Sequence, residues 1–580
     1  MKIIRNFLLS FFSWLLIAGI SYYILLPAFN FHSIGFYIYS AVFLFLPAAL
    51  LFLLSSILSK SAKSKKTYHT IAFIGLALCV FAAVFLSLCQ WFNSPMFHAK
   101  KYASILPIED YDFTEDIDEA NALSKIALMD TNSARILGNR EIGSLSDVVS
   151  QFEVSYDYTQ IDFNQIPTKV AALEYAGFFK YLANKEEGVP GYVTVDPVAQ
   201  DASYVTLEKG MIYVPSAYFQ KDLYRHLRFQ YPTKIFRNLH FEIDEEGHPY
   251  YIASTVDYSI GIFGGETISG AVICDPITGA SSYYAAGEIP QWADVIFDGE
   301  LLTRQYNYYG TLSGGFFNSI MAKKGCKKCT ETTNADANGE ITASDYGYIA
   351  KDGDIWIYTG ITSVNDDSSN IGFIMVNERT AEAHYFPIAG ADENSAMASA
   401  EGEVQEKGYE ASFPSLINVK GEPTYIMVLK DSNGIVKLYA MVNVEQYNIV
   451  ATASTLDDCF LSYQKKLYRK DNTNSENQDT SEQEIEQNNT NNPDFSVIPE
   501  NFKEEDLVTR SFTIKAIQYI EISGNTYVYL TGEEDQAIYK QRFADNEQLI
   551  LLKTGDKVTA ECIETEEGIW AIISFPDSKK

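Results

Sequence analysis

Phe241–Ser254 (FEIDEEGHPYYIAS) and Gly270–Tyr284 (GAVICDPITGASSYY) decide how the middle of this chain is read. Phe241–Asp244, Tyr250–Ser254 and Gly270–Asp275 are short runs rich in Ile, Val and Tyr, separated by Gly, Pro and Asp, the pattern of strands joined by turns. The motif Gly247-His-Pro249-Tyr-Tyr251-Ile252 returns as Gly421-Glu-Pro423-Thr-Tyr425-Ile426 and, more loosely, as Gly353-Asp-Ile-Trp-Ile-Tyr358. Each copy follows a strand-like run and leads through another strand to a polar turn: Asp275-Pro-Ile-Thr-Gly279, Asn377-Glu-Arg-Thr380 and Val444-Glu-Gln446. Asp392–Gln405, with acidic residues at its start, predicts a helix before the Gly421 copy. The pattern predicts repeated helix and antiparallel-sheet modules.

Upstream, helical spacing marks Asp116–Thr131 and Arg140–Phe152, and Thr168–Ala183 reads as an amphipathic helix. Tyr192–Val195 and Ile212–Pro215 read as strands. A helix followed by a small antiparallel sheet with a strand–D-x-x-T-G–strand hairpin resembles the PepSY type of extracytoplasmic module, best at Gly270–Tyr284. The resemblance covers about 50 residues per copy on the scale of a small module. It implies membrane-tethered, regulatory binding to a ligand or partner, without catalysis. The whole arrangement also resembles envelope proteins of low-GC bacteria, which implies no mechanism.

The N-terminus has a different composition. Asn6–Leu26, Ile34–Leu58 and Thr70–Trp91 are apolar and uncharged, and each has the ~20 residues a helix needs to cross ~30 Å of hydrocarbon. Residues 1–94 hold six basic and no acidic residues; the rest carries 38 basic against 75 acidic, a net −37. Lys2 and Arg5, with four lysines in Ser59–His69, predict a cytoplasmic N-terminus and second connection. Three spans then leave everything after Trp91 outside, in a multi-pass cell-membrane protein. Spans without an ionisable residue read as an anchor. Such an acidic exterior argues against nucleic acid as a partner. Seven cysteines exclude a scaffold built from disulfides.

Lys470–Asn492 is almost purely polar and reads as a disordered linker. Beyond it, Ser511–Ile522, Thr526–Leu530, Ala537–Arg542, Lys557–Cys562 and Ile569–Phe575 alternate as five strands, enough for a small barrel resembling an OB-fold. The expected class is α+β. It comprises an anchor (1–94), a mixed membrane-proximal domain (95–238), PepSY-like modules (239–469), a linker (470–507) and an OB-like barrel (508–580).

Three constellations carry possible chemistry. Asn334-Ala-Asp336-Ala-Asn338-Gly-Glu340-Ile-Thr-Ala-Ser-Asp345 resembles a twelve-residue EF-hand calcium loop, with glycine at position six. The resemblance implies Ca2+ held by Asn334, Asp336, Asn338, Glu340 and Asp345. Asn at position one and Asp at twelve depart from the pattern, and an Asn338-Gly339 hairpin explains the same letters. Cys326-Lys-Lys-Cys329 reads as a local disulfide or as two idle thiols. Lys221, Arg225, His226, Arg228, Lys234 and Arg237 form the one basic cluster of the acidic region. Arg225, Arg228 and Arg237 could hold an anion, and pairing with neighbouring carboxylates is the plainer alternative.

Enzyme signatures are thin: there is no H-E-x-x-H, nucleophile elbow, phosphate loop or dinucleotide fingerprint. The sequence therefore points to a membrane-anchored extracytoplasmic binding or regulatory protein of the cell envelope, meeting an envelope protein or a cell-wall polymer. The alternative is an envelope hydrolase whose carboxylates converge only in the fold.

Overall fold

A computed structural model of the chain describes residues 2–580 apart from 59–61, 118, 120–127, 198–199, 331–333, 336–340, 343–345, 365–368, 433, 477–506, 523–524, 533–536, 543–548, 550–551, 567–568 and 575–580. It is a mixed α+β protein with two units, Met1–Val450 and Ala451–Lys580.

Three helices are long and apolar enough to cross a membrane: Leu8–Leu25, Ile34–Ile57 and Ala62–Phe92. The second widens to a π-helix over Ser40–Phe45 just before Pro47, because proline donates no N–H and its ring crowds the carbonyl four residues back. The third packs closely on it, since a Cβ on Gly75 would lie 2.9 Å from the Phe45 carbonyl oxygen. Polar groups inside these helices are satisfied across them. Trp14 Nε1 donates to Leu44 O (2.8 Å), and the Tyr39 hydroxyl to Ala18 O (2.7 Å). The first connection is tied to the globular region: Phe29 N donates to Pro232 O (2.7 Å) and Asn30 Nδ2 to Thr233 O (2.9 Å).

Four mainly antiparallel sheets follow, each preceded by a helix; the one parallel pair among the described strands of these sheets joins Glu109–Asp110 to Ala383–Phe386 of the third. Helix Thr131–Gly143 precedes a sheet of Phe152–Val154, Thr159–Phe163, Ile166–Tyr175, Val189–Asp196 and Asp201–Met211. Helix Leu223–Gln230 precedes the meander Ile235–Ile243, Pro249–Ile260, Gly264–Cys274 and Ser281–Ala285. Helix Gly299–Leu312 precedes a sheet built on Gly347–Lys351, Asp354–Ser363, Ser369–Asn377 and Ala383–Phe386. Helix Glu393–Gly402 precedes one built on Ser415–Val419, Glu422–Lys430 and Val436–Asn443. Neighbouring sheets share cores, and strand periodicity explains how: Tyr251 is buried with Phe241 and Val193 of the first two sheets, while the next residue, Ile252, faces Ile357 and Ile374 of the third. Tyr358 and Phe373 in turn meet Tyr425 and Met427 of the fourth.

The turns quoted from the sequence have clear physical causes. Asp275 Oδ1 accepts from the Ile277 (2.8 Å) and Thr278 (3.3 Å) amides, its Oδ2 accepts from the Thr278 hydroxyl (2.6 Å), and Gly279 takes the left-handed conformation that closes the hairpin. Asn377 Oδ1 caps Arg379 N (2.8 Å) and Thr380 N (3.0 Å) in the same way. Lys420-Gly421 has positive φ at both residues, and Val419 pairs with Glu422 across it, a two-residue hairpin matching strand twist.

Several expectations are corrected. Thr168–Ala183 is strand Ile166–Tyr175 followed by helix Phe178–Asn184. The strand is buried on both faces, so the alternation that marks a strand is missing and the apolar run reads as a helix. Most of the helix expected over Asp116–Thr131 lies outside the described residues; the next helix begins at Thr131, with Asp130 accepting from the Ser133 amide (2.7 Å) as its N-cap. Arg140–Phe152 holds that helix's end and the short Ser146–Val149. Ile212–Pro215 lies beyond the strand, which ends at Met211. In the second unit, helix Leu456–Glu476 covers the start of the expected linker, and 477–492 lies outside the described residues.

The second unit also holds a closed five-stranded barrel, in the order Val508–Ile522, Asn525–Gly532, Ile538–Arg542, Ile569–Ser574 and Lys557–Glu566. Phe512 stacks on Tyr539 at 3.7 Å in its core.

Candidate functional site

A cleft of about 540 Å³ lies where the first three sheets meet. Its walls come from the start of helix Thr131–Gly143, strands Thr159–Phe163 and Ile235–Ile243, the start of helix Gly299–Leu312, and the turn carrying Glu378. Strand Ile235–Ile243 reaches the cleft through a bulge. Asn238 has φ +47°, and pairing slips between Arg237 and Leu239, which re-aims the side chains on either side.

Arg237 is caged by acids. Its Nε and Nη2 bind Asp298 as a fork (2.5 and 3.0 Å), Nη1 meets Glu266 (3.0 Å), and Nη2 also reaches Glu300 (3.4 Å). Asp298 is the N-cap of helix Gly299–Leu312 and accepts from the Leu301 amide (3.0 Å). Burial opposes its ionisation, but the Arg237 fork outweighs burial and holds the carboxyl below its ordinary range. His240 Nε2 lies 2.8 Å from Glu242, a fully buried carboxylate that accepts the Asp294 (2.9 Å) and Val295 (3.0 Å) amides.

Glu378 is the opposite case. Only 1% exposed, its Oε2 has no hydrogen-bond partner. Burial first, then the Asp298 and Glu242 charges, push its carboxyl well above the usual carboxylate range. Two more buried polar atoms of the lining have no partner: Gln160 Oε1 and the Tyr158 hydroxyl. Nearby, Lys169 is 2% exposed, with Nζ 5.3 Å from the centre of the Tyr348 ring and 3.5 Å from Thr131 Oγ1. Burial pulls its amine down to about 8 despite Asp130 and Glu378. The cleft wall thus carries a protonation-prone acid and residues with unpartnered hydrogen-bonding atoms, with the Lys169 amine buried nearby.

Among the described residues, those singled out in the sequence do not assemble into one site. Arg237 lines the cleft, while Arg225 and Arg228 lie on helix Leu223–Gln230 against the first connection between spans. Cys326 and Cys329 are buried thiols whose sulfurs donate separately to Thr311 O (3.4 Å) and Thr303 O (3.9 Å). Asn334-Ala335 pairs with Ile341-Thr342 as a short hairpin; Asp336, Asn338, Glu340 and Asp345 lie outside the described residues. Among the described residues no three His, Cys, Asp or Glu side chains converge as a metal site.

Sequence reasoning missed Lys169, placed on a supposed helix, and Gln160, Tyr158, Asp298 and Glu378. The only signal was indirect: Glu378 follows the Asn of a polar turn that the repeat pattern marks. No known protein family matches the chain. No curated protein matches it significantly either.

Proposed function

We propose that this chain is a membrane-anchored extracytoplasmic binding or regulatory protein of the cell envelope, and that the cleft takes a segment of cell-wall polymer. The observation carrying this reading is the set of buried, unpartnered atoms on residues that line the cleft: Gln160 Oε1, the Tyr158 hydroxyl and Glu378 Oε2. Buried polar groups without partners are costly, so a site offering three is suited to hydrogen-bonding a ligand. The ligand's chemistry follows from the charges. Arg237 is already neutralised by three carboxylates, so the lining favours neutral hydroxyl and amide groups over anions. Tyr156, 72% exposed at the rim, offers a ring face of the kind sugars pack against.

The helix-then-meander order of the four sheets and the Asp275–Gly279 hairpin support copies of one PepSY-like unit. The five-stranded closed barrel is consistent with an OB-like fold. The four lysines near the start of helix Ala62–Phe92 support a cytoplasmic second connection and an outward-facing globular region.

A hydrolase is the second reading, and one observation favours it: Glu378 and Asp298 are pushed in opposite directions, as an acid and a base would be. Against it, both Asp298 oxygens are already bound, to Arg237 and Leu301 N–H, leaving little to activate a water.

Soluble peptidoglycan fragments added to the full chain in nanodiscs test both readings. Binding predicts a rise in melting temperature that Gln160→Leu and Tyr158→Phe reduce. No rise at millimolar fragment would contradict the polymer reading. Fragment cleavage that disappears in Glu378→Gln, with binding retained, would establish the hydrolase instead.

A further inference from the structure

The basic run Lys221–Arg237 is divided by the fold. Arg237 lies among acids, while helix Leu223–Gln230 carries Arg225 and Arg228 to the point where the first two spans end. There a pocket of about 350 Å³ opens between the first connection and the second sheet, within the size range of ligand sites. Leu26, Ile38, Phe43 and Phe236 make it mostly apolar. Leu25 closes the first spanning helix and Ile34 opens the second, so the pocket sits at the depth of lipid headgroups.

Arg228 stands in this wall, 1% exposed. Its Nε donates to Leu26 O (3.0 Å), Nη1 to Tyr231 O (3.3 Å) and Lys234 O, and Nη2 to the Tyr224 hydroxyl (3.0 Å). The Phe236 ring lies 4.6 Å away. Every one of these partners is neutral. Lys221 donates to the Tyr213 hydroxyl (3.0 Å), and Lys234 lies over the Tyr283 ring at 3.4 Å. Arg225 meets Asp222 only at 3.8 Å. Elsewhere in the acidic region Arg237, Arg304, Lys351, Arg379 and Lys430 all reach carboxylates closely. A buried guanidinium with no carboxylate partner, in the wall of an apolar pocket at the bilayer's edge, is complementary to an amphiphile with an anionic head.

We propose that the pocket holds an acyl chain of an anionic phospholipid, drawn from the leaflet on the side of the globular region. Its phosphate lies against Arg228, within the field of Lys221, Arg225 and Lys234. The site locks the first connection to the globular region and does not depend on what the cleft binds.

The full chain is reconstituted in nanodiscs of mixed phosphatidylcholine and phosphatidylglycerol, released in mild detergent, and its retained lipid measured by mass spectrometry. Phosphatidylglycerol should be retained several-fold over its share of the bilayer. Arg228→Gln removes bonds that hold Leu26 and so risks unfolding; two milder variants serve instead. A Cβ on Gly35, in the pocket wall, would meet only Ser33 Oγ at 3.5 Å, so a side chain can start there without a clash, and Gly35→Leu should abolish retention of both lipids. The double variant Lys221→Gln/Lys234→Gln should lower the preference for phosphatidylglycerol several-fold. Equal retention of the two lipids, retention unchanged in Gly35→Leu, or displacement of the lipid by inorganic phosphate would each overturn the proposal.

Discussion

Arg228 and Arg237 stand nine positions apart in one basic run, yet the fold gives them opposite surroundings. Arg237 meets Asp298, Glu266 and Glu300 at 2.5–3.4 Å, whereas Arg228 meets three backbone carbonyls, a tyrosine hydroxyl and aromatic rings. In a region of net −37, neutralisation is the default state of a cation. A buried guanidinium with neutral partners only is the exception, and it falls where the globular region meets the spans. Charge compensation therefore separates a structural arginine from one suited to bind an anion.

The largest effect is expected at the caged arginine. Arg237→Leu leaves clustered carboxylates uncompensated and should cost about 3 kcal/mol, the scale of breaking a largely buried pair. The loss should be greater at pH 7 than at pH 4, because the repelling groups are acids. Melting the detergent-solubilised chain at both pH values checks this. Arg228→Met removes bonds to neutral acceptors and should cost about 2 kcal/mol with little pH dependence. If the two variants show the same pH profile, the contrast between the two arginines fails.

Lys169 is the intermediate case, a cation buried more deeply than its neighbouring acids can repay. With its amine pulled down to about 8 from an ordinary value near 10.5, the folded chain binds this proton less well than the unfolded chain. Its contribution is favourable above the ordinary value and is lost as pH falls through 10.5 towards 8. At pH 7 Lys169→Met should thus stabilise by about 1–2 kcal/mol, and the gain should shrink by pH 10. A destabilised Met variant would mean that the amine is paired more strongly than its surroundings imply.

Glu378 gives the smallest change at low pH. Its carboxyl is raised, so the stability it confers is complete below about 4.3 and drains away as pH rises through the raised value. Glu378→Gln mimics the protonated acid and should flatten the decline in melting temperature between pH 5 and 9. An unchanged slope would mean the acid is ionised at neutral pH.

What the letters revealed depended on whether the signal was local. The spans were legible because charge-free length suffices to define them. The hairpins at Gly247, Gly353 and Gly421 were legible because turn chemistry is carried within a few residues. Barrel strands facing solvent on one side alternate, and their number was correct. Ile166–Tyr175 was misread because a strand buried on both faces loses its period and a lysine inside it looks like a helix's polar edge. The cleft was not legible at all. Gln160, Arg237, Asp298 and Glu378 come from separate elements of three sheets, and what distinguishes Glu378 from dozens of other acids is burial, which has no local signature. Asp354 makes the same point: beside the Asp352-Gly353 turn in sequence, it is a buried partner of Arg379 at 2.6 Å.

The proposed topology sets the globular region outside the cell on a three-helix anchor. Phe179, 81% exposed on helix Phe178–Asn184, and Lys66, near the start of the third span, report the two sides of the membrane. The native thiols Cys274, Cys326, Cys329, Cys459 and Cys562 are buried, so they give little background. Treated with a membrane-impermeant maleimide, intact cells should label Phe179→Cys at once and Lys66→Cys only after permeabilisation. Labelling of Lys66→Cys in intact cells, with Phe179→Cys protected, would contradict the account.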